Sequence, residues 1–364
     1  MVPPDCTLTT ACFDLTKYHN HSRNLKDSIN NMKTLLEVPC YLVIYTDESC
    51  IDLIKEIRNS FNLNHLTKYI VTKFEDLTFY KYNDIIKNNR EKYHPTKDQR
   101  TCSESHLICC SKFDFVLQTI HSNPFNTMKF GWIDSNLNQN FSKICEDYTN
   151  GMLINVLNNS LNDKFHIQIL NVNDKKYKEK HHKREYYAQY RWVVCGCLFI
   201  TNKELGVKIL TRLNEIFEET TNIGYGHSEE MFYLEVLDEF YDVIEKSYGD
   251  YGQIINNFIY PTRNLNYIYY CIIQNYLSFG YNKECYDCCK KVLYSIEKLN
   301  VQCNPDIYMS TLFLSYVSSF YVKREESKQI IKHIYDICEK NPNVKIEFDK
   351  KKDFYLAQFK FSEN

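Results

Sequence analysis

Glycine is scarce in this chain, and its placement argues against the commonest phosphate-binding folds. Only nine of the 364 residues are glycine. They form neither the GxGxxG nor the GxxxxGK(S/T) pattern, in which backbone amides cradle phosphate groups, so a Rossmann dehydrogenase and a P-loop NTPase are both disfavoured. The sequence also lacks the GxSxG turn of α/β-hydrolases and the HExxH helix of zinc proteases. Any phosphate-binding site in this chain must therefore use other groups.

The chain also lacks an excess of charge and a long apolar run. Its formal net charge is −2 at pH 7, so no global basic field indicates binding to nucleic acid or to an anionic membrane. No apolar run reaches the ~18 residues that crossing a bilayer requires. Residues 1–6 have neither the basic nor the apolar region of a secretion signal. We therefore expect a cytoplasmic protein without a transmembrane segment that does not bind nucleic acid.

Cysteine, in contrast, is abundant, with 16 residues. In a chain without a secretion signal these are expected to be reduced thiols rather than a disulfide framework. The tightest cluster is Cys285, Cys288 and Cys289, and helical spacing puts the first and last of these on one face, where small residues pack. A zinc site would need a second pair, but Cys303 and Cys338 are isolated. Core packing is the favoured interpretation, with zinc binding and redox chemistry as alternatives.

Up to about residue 260 the chain alternates strand-like and helix-like stretches. We predict strands at 7–13, 40–45, 68–71, 130–134, 165–170 and 192–200. We predict helices at 24–36, 51–59, 102–120, 204–217 and 229–240. This alternation is typical of an α/β domain with a mostly parallel sheet flanked by helices. Active groups of such sheets gather at the carboxyl ends of the strands, which is where Asp14, Asp47 and Asp134 fall.

From about residue 262 the strands disappear. Helical segments are predicted at 264–279, 282–299, 306–321, 325–339 and 352–360. The stretch around Gly280 resembles the turn and second helix of a tetratricopeptide hairpin, a repeat that places glycine at the turn and small residues at the helix contact. We therefore predict an α/β domain over residues 1–261 and a C-terminal α-helical hairpin domain over residues 262–364.

One internal stretch, residues 173–184, is dense in lysine and poor in apolar residues. A solvated loop between two strands is the favoured interpretation. The alternative is a mobile lid, or a contact with the phosphate of an acceptor. The stretch contains His181 and His182, and because neighbouring residues are expected to point to opposite sides, no chelation is predicted there.

A carboxylate at the end of an apolar strand is the strongest chemical signal in the sequence. The segment reads Trp132-Ile133-Asp134-Ser135-Asn136. Asp134 and Asn136 both offer oxygen ligands, which Mg²⁺ and Mn²⁺ prefer, and such an ion bridges the oxygens of a diphosphate. By itself the motif is weak, because any strand can end in aspartate.

A second candidate region surrounds His227, which precedes Ser228, Glu229 and Glu230 at a predicted helix start. In the structural interpretation Ser228 caps the helix, and the two carboxylates favour its positive amino-terminal end. In the functional alternative, His227 or Glu229 reaches into the site as a metal ligand or a base.

Five motifs occur in an order that is similar to one protein family. They are Thr9-Thr10-Ala11-Cys12-Phe13-Asp14, the strand from Cys40 to Asp47 that ends in Ile-Tyr-Thr-Asp, Ser111-Lys112-Phe113, the segment from Phe130 to Asn136, and Val194-Cys195-Gly196-Cys197-Leu198-Phe199. In this order they resemble the HtrL/YibB-like (WlaTC/HtrL) family of proposed glycosyltransferases, which also includes bacterial surface-glycan enzymes. The resemblance covers about residues 7–260 and leaves the helical tail outside.

The resemblance implies a GT-A-like fold, a nucleotide-sugar donor and a divalent metal ion held by Asp134. Asn136 stands where the family's metal motif usually has a second acidic residue. An amide lacks the charge of a carboxylate, so this departure weakens the metal assignment. His227 is the third candidate ligand.

The resemblance also implies a set of residues that bind the nucleotide-sugar donor. These are Thr10, Ala11, Asp14, Arg23, Asp47, Lys112 and Gly196. Arg23 would meet a phosphate, although an ordinary surface arginine is an equal alternative. Gly196 would let the chain pass close to donor or acceptor, and its alternative role is a strand bulge.

The resulting hypothesis is a metal-dependent glycosyltransferase that moves a sugar from a UDP- or GDP-linked donor to a glycan or protein acceptor. Asp134 would organise the metal and the diphosphate, while Asp14, Glu229 and Glu230 are candidates for a general base. The alternative is a non-catalytic scaffold in which a degenerate α/β domain is joined to helical hairpins that bind a peptide. Asn136 is the residue that favours this alternative.

Overall fold

A seven-stranded sheet organises the described part of the first 250 residues. The computed structural model of the chain describes residues 3–18, 25–93, 101–135, 148–225, 228–258 and 264–358. The strands are β1 (Cys6–Cys12), β2 (Tyr41–Thr46), β3 (Thr67–Val71), β4 (Lys129–Ile133), β5 (Phe165–Ile169), β6 (Val194–Asn202) and β7 (Ile244–Tyr248). Their order across the sheet is β3-β2-β1-β4-β6-β5-β7.

Four of the seven strands, β3, β2, β1 and β4, form a continuous parallel block of the sheet. β1 pairs in parallel with β2 on one side and with β4 on the other, and β2 pairs in parallel with β3. β6 runs antiparallel to both β4 and β5. From β1 the chain moves outwards through β2 and β3 and then returns to the other side of β1 at β4. Such a reversal of strand order opens a crevice at the carboxyl ends of the two strands concerned, β1 and β4.

Helices cover the sheet. Those of the first 260 residues are α1 (Leu25–Leu36), α2 (Ile51–Ser60), α3 (Asn83–Tyr93), α4 (Ser103–Ser122), α5 (Asn150–Asn159), α6 (Lys183–Tyr187), α7 (Lys203–Asn222), α8 (Tyr233–Glu239) and α9 (Ile254–Asn257). Every residue of β1 and of β4 is buried, as expected for strands covered on both faces. The long helix α4 packs on β1, β4 and α7. The predicted α/β class, with a mostly parallel sheet flanked by helices, is confirmed.

The hydrophobic pattern does not predict β7, α3 or α5. β7 reads Ile-Glu-Lys-Ser-Tyr, and its three central polar residues do not show the apolar pattern of a buried strand. α3 has a polar sequence with few apolar residues. The predicted helix at 229–240 is divided in the structure. It begins as a 3₁₀ turn over Glu229–Phe232 and continues as α8.

The C-terminal region is helical, as predicted. It contains α10 (Leu265–Tyr267), a π-helical segment (Ile268–Ile273), α11 (Gln274–Ser278), α12 (Asn282–Glu297), α13 (Pro305–Val322), α14 (Arg324–Lys340) and α15 (Pro342–Gln358). Gly280 has φ of +78°, a left-handed conformation that favours glycine, and it lies in the turn between α11 and α12. The last helix is longer than predicted, because it begins at Pro342. The similarity of these hairpins to tetratricopeptide repeats stays a prediction.

The cysteines behave as core residues. Fifteen of them lie in the described ranges, where all are free thiols and eleven are buried. Cys285, Cys288 and Cys289 on α12 are fully buried, so the expected packing role fits their positions.

The chain forms two compact units. The first comprises Met1–Ile169, Lys176–Ser247 and Tyr251–Ile259, and the second comprises Leu170–Lys175, Tyr248–Asp250 and Tyr260–Asn364. The predicted boundary between residues 261 and 262 is close to the last of these divisions, and it stays a prediction. Within the described residues, no helix combines the length and apolarity needed to cross a membrane.

A buried arginine closes the corner between α1, α2 and the first strands. Arg58 of α2 is 0% exposed. Its guanidinium donates hydrogen bonds to the carbonyl oxygens of Leu36 (2.9 Å), Val38 (2.8 Å) and Cys40 (3.1 Å), and to Thr67 Oγ1 (2.7 Å). The planar fork of arginine thus satisfies three carbonyls of the turn that leads into β2.

Replacing Arg58 with methionine should be strongly destabilising. Arg58→Met keeps the aliphatic stem but leaves the carbonyls of this turn without their donor, at a cost of about 3 kcal/mol or more in the free energy of unfolding. Chemical denaturation measures the change. The exposed Arg184 is the matched control, and equal stability of Arg58→Met and Arg184→Met would contradict this role.

Candidate functional site

A cavity of about 290 Å³ opens where β1 and β4 end. Its wall includes Ala11 and Asp14 from the end of β1 and Asp134 immediately after β4. Lys112 and Cys109 of α4 complete the side that faces the sheet. The cavity therefore lies at the point of the sheet where the strand order reverses, which is where ligands bind in open α/β sheets.

Asp134 is held in place by both its backbone and its side chain. Its N–H donates to Cys197 O on β6 at 2.9 Å. Its Oδ1 accepts a hydrogen bond from Trp132 Nε1 at 2.6 Å and lies 3.6 Å from Lys112 Nζ. The side chain is 31% exposed, so a fixed carboxylate faces the cavity.

The partner of this carboxylate is a buried lysine. The Lys112 side chain is only 2% exposed, and its Nζ lies 2.6 Å from Glu229 Oε1. The same ammonium donates to Gly196 O at 3.1 Å and lies 5.4 Å from the centre of the Trp132 ring. Burial alone would lower the pKa of Lys112, but the Asp134 and Glu229 carboxylates raise it well above its usual range. The two carboxylates therefore favour the charged form of this buried lysine.

Glu230, the neighbour of Glu229, has a different environment. Its Oε1 accepts the Gly196 N–H at 2.9 Å, and Tyr251 Oη lies 2.6 Å from both of its carboxylate oxygens. Burial, together with the nearby charge of Glu229, raises the pKa of Glu230 to about 8. Two consecutive glutamates thus have different partners, since Glu229 pairs with Lys112 whereas Glu230 accepts the Gly196 N–H and contacts Tyr251.

The turn that carries both glutamates begins at Ser228. Its Oγ accepts the N–H of Glu230 at 3.3 Å, which is the capping role predicted for it. Tyr190 Oη donates to the same Oγ at 3.2 Å. The cap and the tyrosine fix the direction in which the two glutamate side chains leave the backbone.

Gly196 makes room for this charge cluster. A Cβ atom there would lie 2.9 Å from Glu229 Oε1 and 3.1 Å from Glu230 Cγ. Cys195 of β6 pairs with Gln168, whereas Phe199 pairs with Ile167, so residues 196–198 bulge away from β5. The bulge that was the alternative interpretation of Gly196 is present, and it aims the Gly196 N–H and C=O at Glu230 and Lys112.

Asp47 does not line the cavity, but it holds the backbone of Asp14, which does. Its Oδ2 accepts the Asp14 N–H at 2.7 Å, and its Oδ1 accepts the N–H groups of Ser49 and Cys50. Asp14 Oδ1 accepts from the N–H and the hydroxyl of Thr16. The predicted strand-end aspartates are thus linked, because Asp47 positions the backbone of Asp14.

The structure brings together part of the predicted site. Ala11, Asp14, Lys112 and Asp134 line the cavity. Thr10, Asp47, Gly196, Glu229 and Glu230 are not among the residues that line it. The predicted residues Arg23, Asn136 and His227 lie outside the described residues. The assigned roles stay predictions.

Sequence reasoning assigned no role to Trp132, Tyr190, Tyr251 or Cys109. Trp132 could have been found, because residues i and i+2 of a strand share a face, and Asp134 follows it at that spacing. The contact of Tyr251 with Glu230 has no local signal, since it depends on how distant segments pack.

The donor atoms at the cavity fit a divalent cation in type. Asp14 and Asp134 supply carboxylate oxygens, the ligands that Mg²⁺ and Mn²⁺ prefer. The hydrogen bonds described above engage Oδ1 of each, so Oδ2 is the atom that would meet an ion. The ammonium of Lys112 offsets part of the negative charge, but Glu229 is its closer partner.

Residues 4–153 match a family model described as "Bacterial protein of unknown function (HtrL_YibB)". The predicted resemblance to this family is therefore confirmed over these residues. No curated protein is a significant match to the chain.

Two solved structures illustrate distant similarity. Mouse xyloside xylosyltransferase 1, in its apo form, aligns with 12% identity over 66% of this chain and 84% of its own, with a TM-score of 0.34. The 4-diphosphocytidyl-2C-methyl-D-erythritol synthase of Anaerococcus prevotii DSM 20548 aligns with 11% identity over 76% of this chain and 96% of its own, with a TM-score of 0.31.

Adding one methyl group at Gly196 should disturb the charge cluster. Gly196→Ala forces Glu229 or the β6 backbone to move, and we expect a loss of about 1–3 kcal/mol in the free energy of unfolding. Gly151→Ala is the matched control, since a Cβ there meets only Thr149 Oγ1 at 3.7 Å. That change in α5 should be neutral or stabilising. Equal effects of the two variants would contradict the packing role of Gly196.

The raised pKa of Glu230 predicts a pH dependence of stability. Between its usual pKa of 4.5 and the folded value of about 8, the folded state holds a proton that the unfolded state has lost. Stability therefore falls as pH rises through this window, because the folded state binds more protons than the unfolded state. Denaturation midpoints from pH 5 to pH 9 should fall more steeply for the wild type than for Glu230→Gln. Parallel curves would show that Glu230 does not carry the proton.

Proposed function

We propose that this chain, whose residues 4–153 match the HtrL_YibB family model, is a glycosyltransferase that uses a nucleotide-sugar donor. The observation that carries the proposal is the fixed carboxylate of Asp134, which faces a cavity at the reversal point of the sheet with the buried Lys112 behind it. The motif order that resembles a family of proposed glycosyltransferases supports the same conclusion.

The cavity suits the diphosphate part of such a donor. Asp134 and Asp14 would hold a divalent ion through carboxylate oxygens, with Asn136 and His227 as the further ligands that the sequence predicts. When bound, the ion would supply positive charge that neutralises the charge developing on the leaving nucleotide. Ala11, whose side chain is a single methyl group, adds little bulk to the cavity wall at the end of β1.

Lys112 and Glu229 would act on the donor indirectly. The ion pair with Glu229 at 2.6 Å holds the ammonium of Lys112 3.6 Å from Asp134 Oδ1. Lys112 is then a positioning residue that also contributes positive charge to the cavity wall. Glu229 and Glu230 do not line the cavity and would act only indirectly, through Lys112. Asp14 lines the cavity and is therefore the better placed candidate for a general base.

The unit that contains the sheet would carry the whole of this site. We retain residues 1–261 as the transferase domain and residues 262–364 as a helical hairpin domain. The acceptor would be a glycan or a protein.

A ligand screen tests the donor class. A compound that binds only the folded state at a hundredfold excess over its Kd stabilises it by about 2.7 kcal/mol, which raises Tm by several degrees. We expect such a shift for one of the UDP- or GDP-sugars in the presence of Mn²⁺. A flat response to every donor, with and without the metal, would favour the non-catalytic scaffold.

Asp134 should be needed for turnover but not for folding. Asp134→Asn keeps the shape of the side chain and an oxygen for Trp132 Nε1, but removes the negative charge. We expect kcat/KM for donor hydrolysis to fall about a hundredfold or more, because a charge next to the reacting diphosphate is lost. The variant should still fold, with Tm lowered only modestly, because Glu229 remains paired with the buried Lys112. The control is Asp163→Asn in the exposed turn before β5. Undiminished turnover in Asp134→Asn would overturn the assignment.

A further inference from the structure

The lysine-rich stretch contains a compact group of metal-ligating side chains. Two 3₁₀ turns, Lys175–Lys178 and Lys180–His182, carry it. Potential ligand atoms of Glu179, His181 and His182 all lie within 4.8 Å of one another. We call these three residues the Glu-His-His turn.

The expectation that the two histidines point to opposite sides is wrong. Their ring centres are 4.2 Å apart. Neighbouring residues alternate by half a turn only in a strand, whereas in a 3₁₀ turn they are separated by about 120°. Side-chain rotation can then bring both imidazoles together, and Glu179 Oε2 lies 3.3 Å from His181 Nε2.

A neighbouring carboxylate orients one of the imidazoles. His182 Nδ1 lies 3.0 Å from Glu185 Oε2. Lys176 and Tyr177 donate to the other oxygen of Glu185, at 2.9 and 3.1 Å. A carboxylate that accepts the Nδ1–H leaves the lone pair of Nε2 directed away from it, which is the arrangement found behind metal-bound histidines.

The lysines around the turn are largely engaged elsewhere. Lys178 pairs with Asp238 at 2.6 Å, and Lys183 pairs with Glu219 and Glu235, each at 3.1 Å. These partners come from α7 and α8, so much of the positive charge that the sequence shows here is neutralised in the fold. A cation approaching the Glu-His-His turn therefore meets less repulsion than the sequence suggests.

We propose that the Glu-His-His turn binds one divalent transition-metal ion, with zinc as the ion that its chemistry fits. Two imidazole nitrogens and one carboxylate oxygen are a usual set of three protein ligands for zinc, with water in the fourth position. The exposed side chains of Glu179 and His181 can close the present separations by changing rotamer. Imidazole ligands distinguish this site from the all-oxygen chemistry at Asp134, because Mg²⁺ prefers oxygen ligands.

Titration of the full-length chain with zinc tests this site. The protein should carry no histidine tag, and isothermal titration should be done on the wild type and on His181→Ala/His182→Ala. We expect the double variant to lose one bound zinc, or to bind it at least a hundredfold more weakly. His333→Ala is the matched control, because it removes a single histidine that pairs with Glu297 at 3.0 Å, and it should bind zinc as the wild type does.

Cobalt separates this site from the 16 cysteines. Co²⁺ bound to nitrogen and oxygen ligands gives visible d–d bands without the near-ultraviolet charge-transfer band that thiolate ligands produce. The d–d bands should appear in the wild type and in His333→Ala and disappear in the double variant. Identical titrations of the wild type and the double variant, or binding that shows only the thiolate band, would overturn the proposal. Neither readout depends on transferase activity.

Discussion

The buried ammonium of Lys112 is the interaction on which the candidate site depends. It connects α4 with the bulge of β6, the turn at Glu229 and the carboxylate that follows β4. Removing a lysine from water costs several kcal/mol, and only close carboxylates and carbonyls offset that cost. The fold supplies these partners from three separate segments, so the charge constrains all three at once. The ion pair with Lys112 and the hydrogen bond from Trp132 together hold the Asp134 side chain in position.

The neighbouring residues Glu229 and Glu230 make different contacts because their side chains leave the backbone in different directions. Glu229 pairs with the lysine, while Glu230 accepts the Gly196 N–H and contacts Tyr251. A single unit of positive charge cannot neutralise two buried carboxylates, and burial together with the charge of Glu229 raises the pKa of Glu230 to about 8. The absence of a side chain at Gly196 lets the strand pass close to both glutamates, which accounts for the glycine better than a close contact with a ligand.

Much of the fold is predictable from local pattern. β2 is a largely apolar run, β4 is mostly apolar and β1 is a buried strand rich in threonine. The ends of these three strands mark Asp14, Asp47 and Asp134 without any knowledge of the fold. The polar strand β7 and the polar helix α3 escape the same reasoning, because their burial is decided by neighbours that are distant in sequence. The candidate site likewise has features that the sequence predicts and features that depend on distant contacts. Lys112 was assigned to the donor from a resemblance, but its partners depend on the register shift in β6. The two histidines escape the same reasoning, because neighbouring side chains point to opposite sides in a strand but not in the 3₁₀ turn that these residues form.

The sequence separation within the cluster has a consequence for folding. Lys112 and Glu229 are 117 residues apart. β6 and the turn at Glu229 follow β1 to β4 in the sequence. While only the parallel block of the sheet has formed, Lys112 has none of its β6 or Glu229 contacts and its charge must remain hydrated. In any partly folded state that lacks β6 and the turn at Glu229, the ammonium of Lys112 would need water in place of these partners. The site is thus completed by long-range assembly, which is slower than local helix formation because the chain entropy of a large loop has to be lost first.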